Sequence, residues 1–158
     1  MPLAIELAAA RMRAMTPAQI AARLADRMRR LVYLSTVHPA PGSSVDDMMT
    51  HPQAPVARGI DYATMFCNDL DSETSEWLLS RLGPEPPGPM AEKLEPVALP
   101  PELASTYVLL ERDEALPPDF QRLQARTAGA GEIVSFDAGH SAFASRPHEL
   151  AELLLRFA

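Results

Sequence analysis

Asp113, in the stretch RDEALPPDF, and His140, in FDAGHSAFASRP, are the residues best suited to acid–base chemistry. Each follows an apolar run, 105–111 for the aspartate and 132–137 for the histidine. A carboxylate that accepts from one imidazole nitrogen fixes the tautomer and leaves the other nitrogen free to take a proton. Such a pair serves a nucleophile, whether a hydroxyl, a thiol or a water. The plain alternative is two unrelated loop residues. His38, in TVHPAPG, follows a third apolar run and is a candidate for the same crevice, or an ordinary loop histidine. His51 and His148 read as solvent residues. Met65, Phe66 and Trp77, with Met48 and Met49, read as residues over an apolar substrate pocket. Packing of these five onto the core is the simpler reading, and the two are compatible.

Strands and helices must bring these residues together. LVYLS (31–35) is continuously apolar rather than alternating, the pattern of a strand buried on both faces. STYVLLE (105–111) and EIVSFD (132–137) are the second and third strands. Helices are expected over 3–14, from Pro17 with Thr16 as its cap, over 44–49, 71–83, 117–128 and 145–158. In the 71–83 helix, Asp71 or Ser72 is the cap, Gly83 the stop, and Trp77, Leu78 and Leu82 the inward face. DYATMFCND is mixed in pattern, and PEPPGP reads as extended chain or turn. This order predicts an α/β domain with parallel strands joined by right-handed crossovers. The carboxyl ends of such strands line the ligand crevice. Neighbouring strands lie about 5 Å apart, so Asp113 and His140 can meet there.

Composition narrows the partners. The formal net charge is −7 and no basic block exceeds RMRR (27–30), so nucleic acid is not expected. The single cysteine, Cys67, excludes an internal disulfide and a thiolate zinc site, and reads as buried rather than nucleophilic. Asp46, Asp47, Asp69 and Asp71 lack the spacing of an EF-hand loop, so no metal is expected, nor any other cofactor. The N-terminal stretch is apolar only in a stripe, without the continuous run of a leader or a membrane span. A cytoplasmic protein with no membrane partner is the expectation. The 16 prolines cluster so as to bracket residues 43–100 as an inserted layer or lid within one domain, 1–158.

TYVLLERDEALPPDFQ and VSFDAGHSAFASRPHELAELL resemble the C-terminal end of the α/β-hydrolase family, in its esterase and hydroxynitrile-lyase-like branch. RRLVYLSTVHPAPGSS resembles the strand before the lid, and MFCNDLDSETSEWLLSRLGPEPPGP the lid of bacterial members. The resemblance covers roughly 18 to 158 in the family's order. It implies a truncated α/β-hydrolase fold: a short parallel sheet of three strands flanked by helices, with a helical lid. It also implies that Asp113 is the acid and His140 the base of a catalytic triad. The family's nucleophile sits in a G-x-S-x-G turn. Here that turn should fall in RAMTPA (13–18), which has no serine, cysteine or glycine. Thr16 is the sole hydroxyl there, and it is also a good helix cap. The chain therefore reads as the C-terminal part of the fold, with its N-terminal half missing or replaced. The first strand would then be an open edge, covered by the N-terminal helix or by a second copy of the chain.

Three functions compete at this point. One is hydrolysis of a small apolar ester through His140 and Asp113. Another is a non-hydrolytic acid–base enzyme, a lyase or cyclase. The third is a non-catalytic remnant that binds a small molecule.

Overall fold

The structure is a computed structural model and describes residues 29–84, 87–95 and 101–157. Thr16 and the helices expected on either side of it lie outside the described residues. Three strands form one sheet: β1 (Arg30–Leu34), β2 (Ala104–Leu110) and β3 (Glu132–Phe136), in the order β1-β2-β3. Both pairings are parallel, with Leu34 beside Val108 and Leu110 beside Phe136. All three carboxyl ends therefore open on the same side of the molecule.

Helices fill the rest. Between β1 and β2 come α1 (Val45–Met49), α2 (Pro55–Arg58), α3 (Tyr62–Cys67), α4 (Ser72–Leu79) and α5 (Pro87–Ala91). Helix α6 (Pro118–Thr127) joins β2 to β3, and α7 (Ala142–Ser145) and α8 (Pro147–Leu155) follow β3. Short polar side chains set several starts. Ser44 and Asp47 form a reciprocal capping box on α1, and the Asp61 and Asp71 carboxylates accept from the Thr64 and Thr74 amides. Proline opens α6 and α8, where its missing N–H costs nothing.

The pleat of β2 explains the layering. Val108 and Leu110 face one way, onto Ala142, Leu150 and Leu153 of α7 and α8. Tyr107 and Leu109 face the other way, onto Ala125 of α6. A third cluster, Ala54, Leu116 and Phe120, is backed by Met48 and Met49 and ties α1 and α2 to the start of α6.

Several expectations are corrected. The 31–35 run is not buried on both faces: β1 is half-buried throughout and is an edge of the described sheet. Continuous apolar sequence gives the same signal for a central strand and for an edge. The α4 helix ends at Leu79, before Gly83, and only Leu78 of its expected inward face is buried. Trp77 is 50% exposed, its ring under the Arg81 guanidinium, and Leu82 is exposed too. PEPPGP (84–89), expected as extended chain or turn, runs into the helical turn α5 (Pro87–Ala91), and the 61–69 stretch, mixed in pattern, contains α3. His51 is no solvent residue, because its ring stacks on Phe120 at 4.9 Å.

Tyr107 gives the fold an alkaline limit. Its hydroxyl donates to the Thr36 carbonyl at 2.8 Å and its ring stacks on Tyr33. Burial, reinforced by the Asp113 charge, raises its phenol well above the ordinary value of 10.0. Above that ordinary value the unfolded chain releases a proton that the folded chain keeps. Stability is therefore full below pH 10 and falls as pH rises beyond it. The urea midpoint should decline once pH passes about 10, and Tyr107→Phe should flatten that decline. An equally steep decline in the variant would put the alkaline sensitivity elsewhere.

Candidate active site

The loop after β2 presents Asp113. Asp113 is 2% exposed, and both of its carboxylate oxygens are engaged. Oδ1 accepts from the Leu116 amide at 2.8 Å. Oδ2 accepts from the Ser35 hydroxyl and faces Nδ1 of His140 at 2.9 Å. A carboxylate can only accept, so Nδ1 carries the hydrogen and Nε2 is the basic nitrogen. His140 is positioned after β3 with its side chain 25% exposed, so the imidazole is partly open while the acid is enclosed.

Backbone and buried polar groups hold this geometry. Beyond the strand ends, the Glu111 amide donates to Phe136 O and the Arg112 amide to Ala138 O, so the two loops stay zipped. Gln121 is fully buried, yet every polar atom of its side chain has work: Oε1 accepts from the Leu110 amide, and Nε2 donates to Leu110 O and Leu116 O. It thereby closes the loop that carries Asp113.

Sequence reasoning missed Ser35. It had placed this serine inside a strand, whereas β1 stops at Leu34 and Ser35 turns with a φ of 35°. That is the left-handed region, uncommon for a residue with a side chain. The turn aims the hydroxyl at Asp113, and the amide still donates to Val108 O at 3.1 Å. A polar residue at the carboxyl end of an apolar run was the available signal.

The other candidates are dispersed. Phe66, on α3, brings its ring to 5.2 Å from that of His140, and Tyr62 lies 5.9 Å from Phe66. Met65 is half-buried on the same helix. Trp77 is on the exposed side of α4, with its ring against Arg81. His38 is held elsewhere: its amide donates to Gln124 at 2.7 Å and its ring meets Tyr33 edge-on. With His51, Met48 and Phe120 it lines a separate cleft of about 260 Å³, which neither Asp113 nor His140 borders. Burial lowers the His38 imidazole, favouring its neutral form. Among the described residues no group of three or more His, Cys, Asp or Glu could hold a metal ion, and no helix is long and apolar enough to cross a membrane.

A buried acid and a half-open histidine on loops after adjacent parallel strands match what the α/β-hydrolase resemblance implied. The model of the Alpha/beta hydrolase family matches residues 7–153, and the chain belongs to that family. No curated protein matches it significantly. Among solved structures, polyneuridine aldehyde esterase superposes with a TM-score of 0.66 at 14% identity, over 89% of this chain and 66% of that one. A methylesterase from Arabidopsis gives 0.63 at 18% identity, over 89% of this chain and 64% of that one. A pyrethroid hydrolase from Sphingobium faniae JZ-2 gives 0.61 at 21% identity, with the same 89% and 64%. These likenesses carry the fold. The chain spans 66% of the length of the first of these proteins and 64% of the other two.

Proposed function

We propose that the chain hydrolyses a small apolar carboxylic ester, with His140 as general base and Asp113 as the group that orients it. The observation that carries this reading is the 2.9 Å pairing of His140 Nδ1 with a fully engaged, buried Asp113. That pairing leaves Nε2 as the free nitrogen of an imidazole whose ring centre lies 5.2 Å from that of Phe66. In the proposed reaction Nε2 takes a proton from water as the water oxygen bonds to the ester carbonyl carbon. The imidazolium, stabilised by Asp113, then returns the proton to the departing alkoxide, giving acid and alcohol. Phe66, with Met65 and Tyr62 on the same helix, would supply the apolar wall, and residues 43–100 the lid. The solved structures named above include two esterases and a hydrolase, which supports an ester as the substrate class. A second copy of the chain, or residues 1–28, would cover the edge of β1.

Direct attack by water separates this scheme from a covalent one through Thr16. With a p-nitrophenyl ester of a short acid, Thr16→Ala should keep the wild-type rate. Mass spectrometry during turnover should find no acylated chain. An acyl adduct on Thr16, together with loss of turnover in Thr16→Ala, would replace water by that hydroxyl. No turnover by the wild-type chain across a series of short esters would sink the hydrolase reading.

A further inference from the structure

Asp69 is a buried carboxylate outside the acid–base pair. It follows α3 in the loop before α4, its side chain 3% exposed. Oδ2 accepts from the Gly139 amide at 2.7 Å, immediately before His140. Oδ1 is buried with no hydrogen-bond partner among the described residues. Among the described residues the nearest cation, Arg112, stands off at 3.8 Å and has its closer ion pair, 2.7 Å, with Asp137. An idle buried carboxylate oxygen carries a desolvation cost, so packing alone does not account for an aspartate here. Its neighbour Asn68 donates from Nδ2 to the carbonyl of Arg112 at 2.7 Å, immediately before Asp113.

These bonds close a circuit. Asn68 holds Arg112, the Arg112 amide donates to Ala138 O, and Gly139, next in the chain, donates back to Asp69. The residues just before the acid and just before the base are thus both gripped by one dipeptide. The grip is close. A methyl group on Gly139 would stand 2.4 Å from Asn68 Oδ1 and 2.5 Å from Asp69 Oδ1. The same dipeptide follows α3, which carries Phe66 to the His140 ring.

We propose that Asn68 and Asp69 are positioning residues. They clasp the segment bearing Phe66 to both loops of the acid–base pair, and Asp69 fixes His140 in register with Asp113 through the Gly139 amide. The reading of His140 as a base gives the clasp its purpose, but its geometry can be tested without turnover.

The readout is the Nδ1 proton of His140 in the full chain, observed by NMR with 15N-labelled histidine. Held against a carboxylate, this proton resonates far downfield and exchanges slowly. Asp69→Ala removes the acceptor and should abolish the slow-exchanging resonance. Asp69→Asn keeps an oxygen that can accept from Gly139 and should restore it. Asp71→Ala removes only the cap of α4 and should leave it in place, although the segment is weakened. Any hydrolysis should follow the same order, with kcat falling at least tenfold in Asp69→Ala and KM changing less. The clasp is overturned if Asp69→Ala retains the resonance, if Asp69→Asn loses it as Asp69→Ala does, or if Asp71→Ala loses it equally. A wild-type chain that shows the resonance but turns over no ester would contradict the hydrolase reading and leave the clasp standing.

Discussion

Asp113→Asn should lower ester turnover by about 10⁴-fold while leaving the fold intact. The reason lies in how many donors converge on this carboxylate. Ser35 and His140 both point hydrogens at Oδ2, and the Leu116 amide points one at Oδ1. An amide has one accepting oxygen and one donating nitrogen. If the oxygen stays with Leu116, the new NH2 faces His140, which must then present an unprotonated Nδ1. The hydrogen moves to Nε2, and the nitrogen meant to take a proton already carries one. Ser35 can rotate its hydroxyl and accept instead, so the structural loss is small. If the oxygen turns toward His140, the Leu116 amide loses its acceptor and the cost moves to stability, on the order of 1–3 kcal/mol. Rate and denaturant midpoint measured on the same preparation distinguish these outcomes. A rate within tenfold of wild type would remove Asp113 from the mechanism.

Gly139→Ala should also be damaging, through packing rather than through the acid–base pair itself. The added methyl meets Asn68 Oδ1 at 2.4 Å and Asp69 Oδ1 at 2.5 Å. Those atoms end short side chains, each already tied at its other terminal atom, one to Arg112 O and one to the Gly139 amide. Relief therefore requires breaking a bond of the circuit or shifting the loop that carries His140. Overpacking of this kind costs about 1–3 kcal/mol. A displacement of His140 by about 1 Å lowers turnover on the order of 100-fold. Gly83→Ala is the matched control, since a methyl there meets nothing within 4 Å. Thermal melts and steady-state rates check both variants, and equal behaviour would mean that the close approach at Gly139 is easily relaxed.

Much of this site could be read in the sequence. Asp113 and His140 stand out because strand runs end just before them, and parallel strands put such positions side by side whatever the loops do. The strand and helix order was legible for the same reason: β2 and α6 carry strong, local patterns. Phe66 was legible as an apolar residue of the segment between β1 and β2, though not its contact with His140. What escaped was set by distant partners. The apolar run of β1 reads as buried on both faces, yet the strand is half-buried, because burial depends on what covers a strand and not on its own residues. Trp77 and Leu82 fall with Leu78 in the apolar pattern of 71–83, yet only Leu78 is buried. Ser35, Asn68, Asp69 and Gly139 matter through bonds to residues far along the chain. Local spacing carries no trace of those bonds. His38 misled because the end of β1 is on the right side of the sheet, while the chain there turns toward Gln124 instead.

The most direct test of the acid–base assignment is the hydrolysis rate of a short-chain chromogenic ester by the purified chain, measured beside His140→Ala. The imidazole is the only group to which the proposed chemistry assigns a proton in flight, and a methyl group cannot replace it. The expected result is measurable turnover in the wild type and loss to the uncatalysed background in His140→Ala, with unchanged melting behaviour. Turnover that persists in a folded His140→Ala chain would contradict it.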